Sequence, residues 1–261
     1  MRNTVCIDKG WRFAKGVSEP AATVETELVD LPHSWNATDG QDGGNDYFRG
    51  SCLYTKHIDR AELPVADRYY LEIEGANSSA DVYVGGKKLA HHDGGYSTWR
   101  VDITEELGEG ADVSIVVDNS PSDSVYPQMA DFTFYGGLYR DVNIIAVSSC
   151  HFDLDYYGGR GLKITPTVSG KDATVEVEVF TTELGEGRKL AYAIYDKDEN
   201  ELQKIVTDEK RVTFEIEDVH LWHGRRDPYL YCCEVEILEG ETVLDNVCSR
   251  FGCHLEGYPC E

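Results

Sequence analysis

The clearest fold signal in the sequence is Val175-Glu176-Val177-Glu178-Val179, where apolar and acidic residues alternate without a break. Successive side chains of a β-strand point to opposite faces of a sheet, so this alternation predicts a strand with one dry face. A second run, Tyr69-Tyr70-Leu71-Glu72-Ile73-Glu74, has a similar period of two. It predicts another strand with a single dry face.

Turn residues separate the predicted strands at short intervals. Gly85-Gly86 follows Val82 to Val84, Glu239-Gly240 follows Glu234 to Leu238, and the polar stretch 196–200 forms a further turn, as expected for β-hairpins. The best helical candidate, 102–107, is long enough for about one turn before Gly108 ends it. The predicted fold class is therefore all-β, built from packed sheets.

The chain has room for two domains, because it has 261 residues and a domain typically has about 100 to 200. The apolar strand 143–147 is followed by the glycine-rich segment 156–161 and then by a new series of strands. We predict a jelly-roll β-sandwich over residues 1–147, an immunoglobulin-like β-sandwich over residues 148–249, and a short tail over residues 250–261.

The charge balance limits the possible partners. The sequence has 24 Lys and Arg residues against 48 Asp and Glu residues, a formal net charge of −24. Such a surface repels phosphate backbones and anionic lipids, so we expect no nucleic-acid and no membrane partner. No apolar run has the length of a signal peptide or a membrane span, and we expect a cytoplasmic protein.

The eight cysteines do not have the Cys-x-x-Cys spacing of structural metal sites. In a reducing cytosol we expect free thiols. Adjacent Cys232 and Cys233 should face opposite sides of one strand. Cys248, Cys253 and Cys260 lie near the C-terminus, where we expect thiols that are more exposed to oxidation.

Five motifs follow one another between residues 11 and 140. They are Trp11-Arg12-Phe13, Leu31-Pro32-His33-Ser34-Trp35-Asn36, Asp39 to Gly50, Gly94-Gly95-Tyr96 and Gly136-Gly137-Leu138-Tyr139-Arg140. In this order they resemble the sugar-binding domain of glycoside hydrolase family 2, the family of β-galactosidases, β-glucuronidases and β-mannosidases. The later segments Leu221-Trp222 and Pro228-Tyr229-Leu230-Tyr231 are similar to the closing strands of the family's immunoglobulin-like second domain. The resemblance covers about residues 1 to 252.

The resemblance implies part of an enzyme. In the family both catalytic glutamates lie on a third domain, a (β/α)8 barrel, and the match to the family is lost after Gly252. We therefore expect the non-catalytic N-terminal portion of a β-galactosidase-like glycosidase, with a β-glycoside and the barrel or another subunit as partners. Two alternatives are a free-standing carbohydrate-binding module and a fragment that complements a separate barrel. No cofactor is expected, and a monovalent or divalent cation is expected only in the full-length enzyme.

The resemblance also implies candidate substrate-binding residues. Asp131 matches the family aspartate that bonds substrate hydroxyls or a nearby cation, a role that suits a carboxylate because it accepts hydrogen bonds from two vicinal hydroxyls. The alternative for Asp131 is a cap on the following turn. Arg49, Asn45 and Asp46 match a second loop near the active site, where a guanidinium steadies the loop or donates to a sugar. A buried salt bridge is the alternative role for Arg49.

Other polar residues receive structural interpretations. We expect Arg140 to alternate with Asp141 along a strand and to pair across the sheet. His91 and His92 have no evident third ligand, so no metal site is predicted there. Asn200-Glu201 looks like a catalytic Asn-Glu pair but lies in a polar turn, and no catalytic residue is predicted.

Aromatic residues offer a stacking surface for the apolar face of a pyranose ring. We expect most of them to belong to the core instead, and Trp11 and Trp35 are interpreted as packing residues. The candidates for a stacking surface are Tyr96, Trp99, Tyr126, Phe132, Phe134 and Tyr135.

Overall fold

The computed structural model describes residues 1–21, 24–37, 39, 47–126, 133–182 and 184–255. The chain forms two compact units, Asn3–Ala146 and Val147–Glu261 with Met1–Arg2, which we call the first and second domains. Both consist mainly of β-strands, so the all-β prediction is confirmed. None of the helices in the described ranges has the length and apolar character needed to cross a membrane.

The first domain contains two large sheets. The elements are β1 (Asn3–Cys6), β2 (Trp11–Lys15), β3 (Glu27–Val29), β4 (Ser51–Asp59), β5 (Arg68–Ile73), β6 (Ala76–Asn77), β7 (Ser79–Val84), β8 (Lys87–Asp93), β9 (Trp99–Asp102), α1 (Thr104–Leu107), β10 (Gly110–Asp118), β11 (Gly137–Leu138) and β12 (Val142–Val147). The four-stranded sheet has the order β1-β12-β5-β9 and the six-stranded sheet the order β3-β2-β4-β10-β7-β8, while β6 and β11 pair separately.

The two large sheets of this domain share one apolar core. Alternate residues of β10, Val113, Ile115 and Val117, belong to the same buried cluster as Leu71 and Ile73 of β5. Fully burying such a side chain contributes about 1.5–3 kcal/mol relative to leaving it exposed. The core thus fixes the ends of β4 and β10, from which the loops of the candidate site emerge.

The prediction of a single dry face is wrong for β5. Tyr70 and Glu72 lie on the face opposite to the core cluster, yet both are buried. Arg100 of β9 places Nη2 at 2.6 Å from Glu72 Oε2, and the two side chains are 6% and 11% exposed. A buried carboxylate requires a partner of this kind, and alternation along one strand does not reveal a partner on another.

The strands of the second domain are β13 (Leu162–Ser169), β14 (Asp172–Val179), β15 (Arg188–Tyr195), β16 (Glu201–Thr207), β17 (Arg211–Ile216), β18 (Tyr231–Glu239) and β19 (Thr242–Phe251). They form a three-stranded sheet, β13-β14-β17, and a four-stranded sheet, β16-β15-β18-β19. The core of this domain includes Val175, Val177 and Val179, as the alternation of apolar and acidic residues predicts, and Glu176 and Glu178 lie outside it.

Two expectations about the cysteines are wrong. Cys232 of β18 and Cys248 of β19 form a disulfide, with Cα atoms 6.8 Å apart, where free thiols are expected. Cys253 is fully buried and forms an isolated parallel bridge with Leu221, so its thiol is not exposed. Cys233, in contrast, is buried on the other face of β18, as the alternation predicts. The pairing of Cys232 depends on the register of two strands, which the spacing of cysteines in the sequence does not reveal.

Candidate functional site

Three of the sequence motifs come together beside β4, β10 and β11. The backbone N–H of His33 donates to the carbonyl of Leu138 at 2.7 Å. The hydroxyl of Ser34 donates to the carbonyl of Gly136 at 2.8 Å. The motif 31–36 is therefore tied directly to the motif 136–140, although about 100 residues separate them.

The side chain of Asn36 is the centre of this arrangement and is fully buried. Its Nδ2 donates to the carbonyl of Phe48 at 2.9 Å and to the Asp39 carboxylate at 3.1 Å. Its Oδ1 accepts from the Gly136 N–H at 2.8 Å and from Asn119 Nδ2 at 3.2 Å. One amide thus joins four separate segments and uses both its donor and its acceptor capacity.

Asn119, directly after β10, is a second buried amide in the same network. Its Oδ1 accepts from the Gly50 N–H at 3.0 Å, and its Nδ2 reaches the carbonyl of Phe48 at 3.3 Å. The Phe48 N–H in turn donates to Asp39 Oδ2 at 3.0 Å. Buried backbone groups in irregular segments need such partners, so the asparagines replace the hydrogen bonds that a sheet would supply.

The atoms packed around Gly136 and Gly137 leave no room for a side chain at either position. A Cβ on Gly136 would overlap the ring of Trp35 and lie 2.7 Å from Asn119 Nδ2. Gly137 has φ of +133°, and a Cβ there would collide with the carbonyl oxygen of His33. Both positions exclude a larger residue, which explains why the Gly-Gly pair accompanies the motif 31–36.

Aromatic rings form a second cluster next to this network. Tyr96 stacks on Tyr126 with centroids 5.0 Å apart, and Phe134 and Tyr139 lie 6.1 Å from Tyr126 and 6.4 Å from Tyr96, respectively. Tyr96 is 57% exposed, and nearby Tyr135 is 47% exposed. These two rings offer apolar surface to solvent, whereas Trp99 and Phe134 are buried, so two of the five candidates that the structure describes belong to the core, fewer than expected.

Arg49 lies beside the network, but its predicted companions lie outside the described residues. The guanidinium of Arg49 donates to the Tyr47 hydroxyl and stands 4.8 Å from the centroid of that ring. Asp131, Asn45, Asp46 and the aromatic candidate Phe132 all fall outside the described ranges. Of the four predicted substrate-binding residues, the structure therefore describes Arg49.

Arg140 does not pair across a sheet with a carboxylate as expected. It lies outside the strands, and its Nη1 donates to the carbonyls of Tyr96 at 3.0 Å and Glu74 at 3.3 Å. Arg140 therefore anchors the Gly94-Gly95-Tyr96 turn to the chain around β11. Its role is structural, through backbone carbonyls.

The two adjacent histidines of β8 have different partners. His91 contacts Asp81 at 2.6 Å and Asp93 at 3.2 Å, while His92 contacts the Ser97 hydroxyl at 2.8 Å and stacks on Trp99. Within the described ranges, no three His, Cys, Asp or Glu side chains are grouped so that they could hold a metal ion.

Two neighbouring carboxyl groups, Glu72 and Glu74, share one hydrogen-bond donor in the first domain. Asn143 Nδ2 donates to both Glu72 and Glu74, at 3.2 and 3.3 Å. Burial, together with the charges of Asp141 and Glu72, raises the pKa of Glu74. Glu72 is buried in the ion pair with Arg100, however, so its carboxylate offers no open face to a sugar.

Acidic groups also line a cavity of about 760 Å³ in the second domain. Asp196 there accepts hydrogen bonds from the N–H groups of Asp198 and Asn200 and from the side chain of Asn200, and these bonds lower its pKa. A general acid in glycoside hydrolysis needs a raised pKa, so Asp196 is unsuited to that role. Asn200-Glu201 lies at the adjacent turn and the start of β16, as the sequence predicts.

Burial also keeps His33 neutral. Desolvation lowers the pKa of His33, and its Nδ1 lies 2.8 Å from the hydroxyl of buried Tyr54, whose own pKa burial raises. The pair thus forms a neutral hydrogen bond beneath the motif loops.

Sequence reasoning did not select the buried asparagines Asn77 and Asn119. For Asn119 a signal was present, because a polar residue directly follows the long apolar strand β10, where a buried loop amide needs a partner. Asn77 pairs with Gly137 between β6 and β11, and no local pattern marks it.

Two sequence models of known families match the chain. The model described as glycosyl hydrolases family 2, sugar binding domain, matches residues 45–148, and the model described as glycosyl hydrolases family 2 matches residues 160–253. The chain belongs to glycosyl hydrolase family 2. The resemblance read from the five motifs is thereby confirmed.

Relatives of this family 2 chain are larger enzymes. A β-glucuronidase of Bacteroides fragilis is 28% identical over 96% of the chain, which covers 38% of that enzyme. A crystal structure of an FMN-binding β-glucuronidase from Faecalibacterium prausnitzii L2-6 is 35% identical, with a TM-score of 0.88 over 97% of this chain and 39% of that one. A β-galactosidase of Thermoanaerobacter pseudethanolicus is 26% identical over 87% of the chain and 31% of its own length. The family 2 chain thus spans less than half of each of these relatives, and it matches their N-terminal portions.

Proposed function

We propose that this chain is the non-catalytic N-terminal portion of a β-glucuronidase- or β-galactosidase-like glycoside hydrolase. Its first domain shapes the sugar pocket, and the two catalytic carboxyl groups come from a barrel domain outside these 261 residues. Support comes from the two family matches and from relatives that are two to three times as long as the chain.

The observation that carries the proposal is the amide network around Asn36. Loops that act on a substrate must be held in place by a rigid surround. Asn36 and Asn119 fix the segments 47–50 and 136–138 through main-chain bonds. Those segments border the positions of the predicted substrate contacts Asp46 and Asp131.

Each candidate residue has a chemical role in the proposal. Asp131 accepts hydrogen bonds from two sugar hydroxyls, and Arg49, with Asn45 and Asp46, orients the opposite rim of the pocket. Tyr96 and Tyr135 supply exposed aromatic surface for the apolar face of a sugar or of its aglycone.

The first experiment measures hydrolysis of a panel of nitrophenyl β-glycosides by the purified chain, together with calorimetric titration with the free sugars. The expected result is no turnover. Turnover would contradict the proposal, because it would require a catalytic carboxyl pair inside these two domains. Binding of a sugar without turnover would favour the alternative of a free-standing carbohydrate-binding module, for which the exposed Tyr96 and Tyr135 are the supporting observation.

The role of Asp131 is tested in a longer protein that contains the barrel. Asp131→Ala should lower kcat/KM by about tenfold to a hundredfold, the cost of one to two hydrogen bonds to a charged group. Asp123→Ala is the matched control, because Asp123 is an exposed acidic residue of the preceding loop. If both variants have the same kcat/KM, Asp131 does not contact the substrate.

A further inference from the structure

We propose that Asn77 is a positioning residue that holds both ends of the segment carrying Asp131. The inference rests on the proposed function, in which Asp131 contacts the sugar. The residues on either side of that segment, Tyr126 and Tyr135, both bond to the side-chain amide of Asn77. One buried amide therefore binds the residues at both ends of this stretch of the chain.

The orientation of the amide follows from its partners. The carbonyl oxygen of Tyr135 can only accept, so the group that faces it at 2.7 Å is Nδ2 of Asn77. Oδ1 then faces the hydroxyl of Tyr126, which donates to it. Donor and acceptor are both used, and each holds a different end of the segment.

Space around Asn77 restricts which residue can do this. The side chain is 4% exposed, and Gly95 packs against it, so that a Cβ on Gly95 would lie 2.5 Å from Asn77 Oδ1 and 3.0 Å from the Tyr126 hydroxyl oxygen. The Gly94-Gly95-Tyr96 motif therefore provides room for the contact between Asn77 and Tyr126. The glycine at 95 and the amide at 77 form one packing unit.

Neighbouring contacts hold the same two ends. Tyr126 stacks on Tyr96, and the Gly136 N–H next to Tyr135 donates to Asn36. Nine residues of extended chain would span about 30 Å. Because both ends bond to a single amide, Asn77 holds Tyr126 and Tyr135 much closer together than this extended length.

Hydrogen–deuterium exchange of the 261-residue chain tests this role. Asn77→Asp keeps the acceptor for Tyr126 but removes the donor to the Tyr135 carbonyl, and Tyr126→Phe removes the other bond while keeping the ring. Asn143→Ala is the matched control, because Asn143 is a similarly buried amide, 6% exposed, in the four-stranded sheet of the same domain.

Asn77→Asp and Tyr126→Phe should each speed exchange in peptides spanning residues 124–137 by about tenfold, as expected for one lost hydrogen bond. Asn143→Ala should leave those peptides unchanged. If the exchange of these peptides is the same in all three variants and the parent, Asn77 does not hold the segment and the inference is overturned.

A second readout separates this inference from the proposed function. In the longer, barrel-containing protein, Asn77→Asp should lower kcat/KM by about tenfold through KM and kcat together, and Asn143→Ala should not. Faster exchange with unchanged kcat/KM supports the holding role of Asn77 and overturns the proposed contact of Asp131 with substrate. Unchanged exchange overturns the holding role whatever the kinetics.

Discussion

Replacing Asn36 with Ala should destabilise the first domain by about 4 kcal/mol. The Gly136 N–H loses its partner, which costs about 1–3 kcal/mol for a buried unsatisfied group, and Asp39 loses a charge-assisted bond worth about 1.5–3 kcal/mol. The Phe48 carbonyl still accepts from Asn119, and the Asp39 carboxylate still accepts from the Phe48 N–H. Neither group is left without a hydrogen-bond partner, so neither adds a further desolvation cost.

Urea unfolding followed by tryptophan fluorescence measures this loss. Three of the four tryptophans, Trp11, Trp35 and Trp99, lie in the first domain, so the signal mainly reports that domain. With an m-value of about 2 kcal/mol/M, the midpoint should fall by about 2 M. Ser34→Ala, which removes one hydroxyl, should lower it by about 0.5 M. Asn200→Ala, in an exposed turn of the second domain, is the control. A shift below about 0.5 M for Asn36→Ala would refute the central role of this amide.

Three further perturbations follow from single contacts. Burial lowers the pKa of His33 below 6.5, so the unfolded chain takes up a proton before the folded protein does as the pH falls. The contribution of His33 to the free energy of unfolding should therefore be full above pH 6.5 and decline below it. If His33→Phe has the same dependence of the urea midpoint on pH as the parent, this prediction is wrong. Arg100→Met should cost about 3–5 kcal/mol by leaving Glu72 buried without its partner, and a calorimetric melt should show recovery in the double variant that also carries Glu72→Met. Burial raises the pKa of Cys233 to about 12, so iodoacetamide should leave it unlabelled in the native protein, and peptide mass spectrometry that finds it alkylated would show an open core.

The alternation of apolar residues was sufficient to predict the architecture. β14 has the dry face that its valines indicate, and the hairpin glycines Gly85, Gly86 and Gly240 take positive φ where turns were expected. These features depend on residues close together in the sequence. The physical rule that links them to structure acts within one strand or one turn.

The errors concern contacts between distant residues. Glu72 is buried because Arg100 lies on the neighbouring strand, and Cys232 bonds to Cys248 because β18 and β19 pair in a particular register. Arg140 was expected to pair across a sheet, but the chain there is irregular and carbonyl oxygens are its partners. Each outcome depends on which segments meet in space, which local periodicity does not specify.

The motifs of the candidate site could be predicted from the sequence, but the buried side chains that hold its loops could not. The family motifs identified the loops, and the glycines at 136 and 137 were marked by the sequence. The amides that hold the loops, Asn77 and Asn119, were missed because each bonds to a backbone atom far along the chain, 58 and 69 residues away. A side chain that bonds to main-chain atoms leaves no complementary residue type in the sequence to reveal the pairing.

Because these amides bond to main-chain atoms, the path of the loops does not depend on which side chains the loops carry. Asn77 bonds to the main-chain carbonyl of Tyr135, so the bond is indifferent to which side chain residue 135 carries. The half-exposed ring at that position can therefore be exchanged while the path of the chain is kept. A saturation library at this single codon therefore varies the exposed side chain of residue 135 while keeping the hydrogen bond from Asn77 to its main-chain carbonyl.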